Sequence, residues 1–522
     1  MSDGRSADMG TYRRARRRPP QAATRPDGGA KRGGSRRGDV PRRTAYDVLA
    51  AVEEREAYAN LLLPKLLTQR SLSGRDAALA TELTYGTLRG LGTYDAVLAA
   101  CSDRPLDKLD PPVRQVLRLG THQLLSTRVG SHAAVATSVD LAKAVVGPRV
   151  SGYVNAVLRR VATRDAEQWT DLVSPARETD PDGYLAVRYS HPRWIIGAYR
   201  EALGDAAADE IEAALTAGNE RPRVTMAVLP GGPDRDAVLP DGATASRWSP
   251  YGFTLPGGDP AGLIEGGRAA VQDEASQLAA IVLSRVPVEG PDEAWLDMCA
   301  GPGGKARMLY GLAGLAGANL VASDMHPHRA GLIKQALDSA ARKGAASTGA
   351  AGNGAVADGA ERRGGQSAVL VADGRVPPWR EGGFDRVLVD VPCSGLGALR
   401  RRPEARWRKS EADLPALGDL QRALLRSALA AVRPGGVVAY VTCSPVPAET
   451  SGIVESVLGE TGTSAADAGE AGARGTGAAE ILDAPAVLSQ VPDLRAPDPR
   501  FAQFWPHRHG TDAIFLALLR RK

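Results

Sequence analysis

The run Asp297-Met298-Cys299-Ala300-Gly301-Pro302-Gly303-Gly304-Lys305 constrains this chain more than any other stretch. A short apolar segment, Ala294 to Met298, runs straight into a glycine-rich turn, and a helical pattern follows from Lys305 to Leu315. Glycines there let the backbone close on a ligand, and the start of the helix favours an anion. The turn matches neither the G-x-G-x-x-G dinucleotide fingerprint nor a P-loop, so its meaning depends on what surrounds it. Downstream, strand and helix patterns alternate. Asn319 to Ser323 closes on Asp324, Ala368 to Ala372 on Asp373, Phe384 to Val389 on Asp390, and Gly436 to Val441 on Thr442-Cys443-Ser444. This alternation predicts an α/β doubly wound, Rossmann-like sheet over about residues 271–522, with its strand ends along one edge. Acidic residues at successive strand ends suit a ligand with a ribose, an amine and an adenine ring, as S-adenosylmethionine has. Asp324, 27 positions after Asp297, is placed to hold ribose hydroxyls.

Three of the four cysteines fall in these loops: Cys299 in the glycine turn, Cys393 in Val391-Pro392-Cys393-Ser394-Gly395, and Cys443 in Val441-Thr442-Cys443-Ser444-Pro445. The last two read as thiols aimed at one bound molecule, whereas Cys299 and Cys101 read as packed residues. There is no C-x-x-C pair, so neither a disulfide framework nor a zinc site is expected, and a reducing, cytoplasmic compartment fits. His326 and His328 flank Pro327 without further metal ligands nearby in sequence. No apolar run approaches the ~18 residues of a membrane span, and no membrane partner is expected.

Charge is concentrated at the amino terminus. Residues 1–43 carry 13 Lys or Arg against four Asp, a net of +9 where the whole chain has +5, leaving −4 for the remainder. With little apolar content, residues 1–40 read as a disordered basic arm of the kind that binds phosphate backbones. From Pro41 to about residue 170 the pattern is helical, with Thr44 as the expected first cap and later helices over Leu61 to Leu67, Asp76 to Gly90, Tyr94 to Ala100, Pro112 to Leu125, Ala133 to Val146 and Tyr153 to Val161. A mixed α/β connector over about residues 171–270, expected to face RNA, has helices Pro192 to Leu203 and Ala207 to Ala217 and a strand Arg223 to Leu229. Two Ala/Gly-rich stretches, Gly344 to Gly365 and Gly459 to Gly477, read as disordered insertions away from the site.

Two resemblances emerge. The segments Arg75-Asp76 with Leu83-Thr84-Tyr85-Gly86-Thr87-Leu88-Arg89, and Gly152-Tyr153-Val154-Asn155-Ala156-Val157-Leu158-Arg159, resemble the NusB-like RNA-binding domain fused to bacterial ribosomal-RNA methyltransferases. The constellation Cys299–Lys305, Asp390-Val391-Pro392-Cys393-Ser394-Gly395 and Thr442-Cys443-Ser444 resembles the RNA cytosine-5 methyltransferases of the Sun or Fmu (RsmB) family. Where that family carries Arg-Val-Asn, the connector strand here has Val224-Thr225-Met226. The resemblance implies S-adenosylmethionine held by Cys299, Ala300, Gly301, Pro302, Gly303, Gly304, Lys305, Asp324, Asp373 and Asp390. It implies Cys443 as the nucleophile, Cys393 as the residue assisting product release and Asp390 as a third catalytic residue that hydrogen-bonds the cytosine edge or the methionine portion of the cofactor, with the segment Trp505–Asp512 as a closing hairpin with a structural role.

Carbon 5 of cytosine is too weak a nucleophile to take a methyl group until a thiolate has added at carbon 6, which explains a need for thiols. Arg400, Arg401 and Arg402 are candidates to lower the thiol's proton affinity or to bind phosphate. A stacked base hides carbon 6, so the expected partner is naked or immature 16S ribosomal RNA, met by a monomer. Competing readings are a DNA cytosine-5 enzyme, which needs no Thr-Cys-Ser thiol, an amino-group methyltransferase, which would carry Asn or Asp followed by Pro-Pro and an aromatic, methylation of another RNA such as tRNA, and a non-catalytic RNA-binding or antitermination factor.

Overall fold

A computed structural model describes residues 39–258, 260–348, 365–462 and 479–522. The amino-terminal pattern folds as a helical bundle of Val40–Arg55, Ala59–Gln69, Gly74–Arg89, Leu91–Cys101, Pro111–Ser126, Ser131–Val145 and Ser151–Val161. Apolar residues at helical spacing, among them Leu49, Leu83, Leu98, Val116 and Leu158, converge on one core that includes Cys101. The first helix starts one turn before Thr44. Asp39 accepts from the Arg42 amide at 3.2 Å and caps it, Pro41 suits the first turn, and the Thr44 hydroxyl donates back to the Val40 carbonyl at 2.8 Å. The basic arm lies outside the described residues up to Asp39 and Val40, which enter this helix.

The connector begins with helices Ala166–Val173, Pro181–Arg188, Arg193–Leu203 and Ala207–Asn219. A small antiparallel sheet follows, ordered β2-β3-β1-β4, from β1 Thr225–Ala227, β2 Thr244–Ala245, β3 Gly252–Thr254 and β4 Ala270–Val271. The expected strand Arg223 to Leu229 survives only as β1, because its neighbours in the sheet are equally short.

The carboxyl-terminal half is built on β5 Ala294–Asp297, β6 Asn319–Asp324, β7 Ser367–Val371, β8 Phe384–Asp390, β9 Val432–Thr442, β10 Ala479–Leu482, β11 Ala502–Gln503 and β12 Phe515–Arg521. The sheet order is β10-β12-β9-β8-β5-β6-β7, with β11 against β12. β5 pairs in parallel with β6 and β8, β6 with β7, and β8 with β9, so these five carboxyl ends share one edge. β12 runs antiparallel to β9. The order reverses at β5, and in sheets of this kind ligands bind beyond the strand ends at such a switch point. β9 starts four residues before the expected Gly436 because Phe384 pairs with Val432 across a register shift. Of the two Ala/Gly-rich stretches, the described parts lie at the ends of helices Pro327–Thr348 and Ser451–Gly462, and the rest falls outside the described residues. Among the described residues, no helix is long and apolar enough to cross a membrane.

One strap joins the halves. After the Pro-Cys loop, the chain from Leu399 to Leu414 reaches back to the bundle and the connector. Arg406 is fully buried, which pushes its guanidinium down to about 9. It donates to the Ser190 carbonyl at 2.9 Å, Asn219 Oδ1 at 2.8 Å and the Arg89 carbonyl at 3.3 Å. Arg408 donates to the carbonyls of Val52 and Ala57, and Glu404 accepts from the Ala59 amide at 3.2 Å. Each buried acceptor left without a donor costs about 1–3 kcal/mol. Arg406→Ala is therefore expected to lower the unfolding free energy by about 3 kcal/mol, measured as a shift in the urea midpoint.

Candidate active site

The glycine turn is shaped for close approach. Gly303 sits at φ +110°, and a Cβ at Gly301 would fall 2.2 Å from Asp324 Oδ2. Hydrogen bonds from the Ala300 amide to the Ser323 carbonyl at 2.8 Å and from the Gly303 amide to Ala300 at 2.7 Å fix the turn against β6. Helix Gly304–Ala316 begins behind Gly303 with no capping side chain, so its first amides are left for an anion at the crevice.

The acids along this edge have different surroundings. Asp324 is buried, accepting from the His326 amide at 2.8 Å. Asp373 lies two residues beyond β7 instead of ending it, and Arg375, donating from its amide at 3.0 Å and its guanidinium at 2.6 Å, holds its carboxyl below the usual range. Asp390 ends β8 and accepts from Lys305 Nζ at 2.8 Å; burial opposes the charge on that lysine, but Asp390 outweighs it and keeps its proton affinity above normal. Asp297, to which the sequence pattern assigned nothing beyond its place before the turn, is wholly buried, and neither carboxyl oxygen completes a hydrogen bond among the described residues. Burial and then Asp390 push it up to about 8, with Lys305 and the Cys299 amide pulling the other way. An uncapped helix start, a glycine cradle and a buried acid without a partner fit the carboxylate and amine of an amino-acid cofactor such as S-adenosylmethionine.

Across the crevice stand the thiols. Asp390 pairs with Val441 in the β8–β9 ladder, so Cys393 and Cys443 leave the sheet side by side and their sulfurs lie 3.3 Å apart. The Gly397 amide donates to the Cys443 carbonyl and the Ala513 amide to the Gly397 carbonyl, each at 2.8 Å. The Cys443 thiol is pushed down, first by the hydrogen bond from Cys393 and then, against burial and Asp390, by Lys305 and Arg402. That same contact, with burial, pushes Cys393 up. Cys299 is pushed up by burial and then by Asp297, which keeps it a thiol.

Arg402 is among the charges that lower the Cys443 thiol. Arg400 is bonded to Asp273 at 3.0 Å and to Asp512 at 2.7 Å, and Arg401 to the same two acids at 2.7 and 2.9 Å. Acids from distant parts of the chain thus pair with both guanidiniums, which brace the loop after Cys393. His326 points a ring nitrogen to Asp324 at 3.2 Å, and the described residues hold no cluster of metal ligands.

This sheet and this edge define an S-adenosylmethionine-type methyltransferase domain. The 16S rRNA methyltransferase RsmB/F family matches residues 286–350 and 344–520, and the NusB family matches residues 39–163. "Putative methyltransferase Rv1407" of Mycobacterium tuberculosis is 45% identical over 92% of this chain and 97% of its own length. Ribosomal RNA small subunit methyltransferase B of Pseudomonas putida is 32% identical over 81% of this chain and 89% of its own. In fold, the crystal structure of PH0851 superposes with a TM-score of 0.69 at 22% identity, covering 92% of this chain and 99% of that one. The chain belongs to the RsmB/F family of 16S rRNA methyltransferases and carries a NusB-family domain at its amino end. It is an S-adenosylmethionine-dependent RNA methyltransferase.

Alanine at position 303 would be strained at that φ and would press on Ile333, 3.2 Å from its Cβ. Gly303→Ala is expected to weaken S-adenosylmethionine binding about tenfold, equivalent to roughly 1.4 kcal/mol, measured by isothermal titration.

Proposed function

We propose that this protein methylates carbon 5 of a cytosine in 16S ribosomal RNA through a transient bond between Cys443 and carbon 6. The observation that carries the proposal is the pair of strand-end thiols 3.3 Å apart with opposite shifts in proton affinity, set beside Lys305 and Asp390. The Cys443 thiolate adds to carbon 6, and carbon 5 becomes enamine-like. When bound, S-adenosylmethionine supplies the electrophilic methyl group, held by residues Cys299–Lys305 with Asp324, Asp373 and Asp390. For release, water takes the carbon 5 proton, the electron pair of that bond restores the 5,6 double bond, and the sulfur–carbon 6 pair returns to Cys443 as its thiolate. Cys393, in contact with that sulfur, assists this step. Asp390, oriented by Lys305, faces either the cytosine edge or the amino-acid end of the cofactor.

In this reading residues 41–170 bind RNA, residues 171–270 connect, and residues 271–522 catalyse. The target base must leave its stack to reach Cys443, which favours loops and immature RNA. The test is transfer of labelled methyl to deproteinised 16S RNA, with the label mapped to a nucleotide. Cys443→Ala is expected to abolish transfer, and Cys393→Ala to leave a protein–RNA adduct that survives denaturing electrophoresis. Full activity in Cys443→Ala would overturn the mechanism, and label on tRNA alone would overturn the substrate.

A further inference from the structure

Behind the two thiols lies a carboxylate that the reaction as described does not use. Glu449, in the turn after the Thr-Cys-Ser motif, has 0% exposure. Its Oε2 accepts from the hydroxyls of Ser394 at 2.5 Å and Ser444 at 2.6 Å. Its Oε1 accepts from the Ser394 amide at 2.7 Å and from Gln421 Nε2 at 3.2 Å. Ser394 follows Cys393, and Ser444 follows Cys443; their hydroxyls lie 3.2 Å apart. Gln421 Nε2 also donates to the Pro392 carbonyl at 2.9 Å, and the Tyr440 hydroxyl holds the acid's main chain by donating to the Glu449 carbonyl at 2.7 Å.

The chemistry of this cage is one-sided. An ionised carboxylate is acceptor-only, and amide and hydroxyl donors directed at it form stronger bonds than neutral pairs do. Burying a charge is costly unless hydrogen bonds satisfy it, and three of the four satisfying bonds come from residues directly after a cysteine. A shift of one loop relative to the other would break at least one of them.

We infer that Glu449 is a positioning residue for the thiol pair: by bridging Ser394 and Ser444 it holds the Pro-Cys and Thr-Cys loops at the separation that lets Cys393 donate its S–H to the Cys443 thiolate. The inference rests on the roles proposed above for the two cysteines. The charge acts in the same sense as the geometry. After the Cys443 contact and burial, it adds to what disfavours a thiolate at Cys393.

The test reads the thiols without RNA, so that it does not depend on the methyl acceptor. Full-length protein is alkylated with iodoacetamide from pH 5.5 to pH 10, and each cysteine is followed by mass spectrometry. In the unaltered protein Cys443 is expected to react at lower pH than Cys393. In Glu449→Ala that preference is expected to fall at least tenfold, with the Cys443 midpoint moving up toward the ~8.5 of a free thiol. Methyl transfer should lose about 100-fold in kcat, as for a misplacement of ~1 Å, while KM for RNA and for S-adenosylmethionine stays within about threefold. Glu449→Gln, which keeps the bridge but not the charge, should mainly lower the Cys393 midpoint. Ser394→Ala and Ser444→Ala each remove one arm and should fall between the two, and they decide the matter if Glu449→Ala does not fold. An unchanged Cys443 preference and kcat in folded variants that bind S-adenosylmethionine normally would overturn the inference, even if their melting temperature fell. Loss of the preference in Glu449→Ala, with no label on any RNA from the unaltered protein, would uphold the positioning role and sink the proposed reaction.

Discussion

The parallel pairing of β8 with β9 is the constraint on which the site depends. Both strands are buried along most of their length, and their register matches Asp390 with Val441. A slip of one residue would turn every side chain of a strand to the opposite face. With the register fixed, the two loops emerge together, and main-chain bonds through Gly397 to Cys443 and Ala513 carry the alignment past the sheet's end. The antiparallel β12 closes the far side of β9 and places Asp512 where it can hold Arg400 and Arg401.

The same edge separates its ionisable groups by environment. Asp373, half-exposed beside Arg375, is held ionised, whereas Asp297, deep beneath the glycine turn, is pushed toward neutrality. Lys305 stands between the cofactor turn and the thiols, bonded to Asp390 and felt by Cys443. One lysine thus links the charge balance at Asp390 to that of the thiol pair, in buried surroundings that strengthen both interactions.

What was legible in the sequence was local or periodic. The glycine turn, the acids near strand ends and the two cysteine motifs are short patterns whose neighbours in sequence are their neighbours in space, and the bundle follows from helical spacing. What escaped depends on long-range partners. Arg400 meets Asp512 across 112 positions and Asp273 across 127, so a run of three arginines read as free charge when two of them were already neutralised. The connector was legible as helices but not as packing. Ile195, Tyr199 and Leu215 share a core with Leu396, Leu399 and Trp505, and the Tyr199 hydroxyl donates to the Leu396 carbonyl at 2.8 Å. The apolar period points to Thr44 as the cap, but Asp39 caps one turn earlier, in a stretch where proline and arginine hide the periodicity.

The strap from Leu399 to Leu414 changes what the amino-terminal bundle is. Its bonds to Arg89, Val52, Ala57 and Ala59 join those that the bundle makes to the connector through Gly92 and Ser190. A single break in the backbone between bundle and connector would leave all of these bonds in place. The NusB-family domain is therefore held as a wall of the molecule by bonds from distant parts of the chain, and its peptide link is one attachment among several.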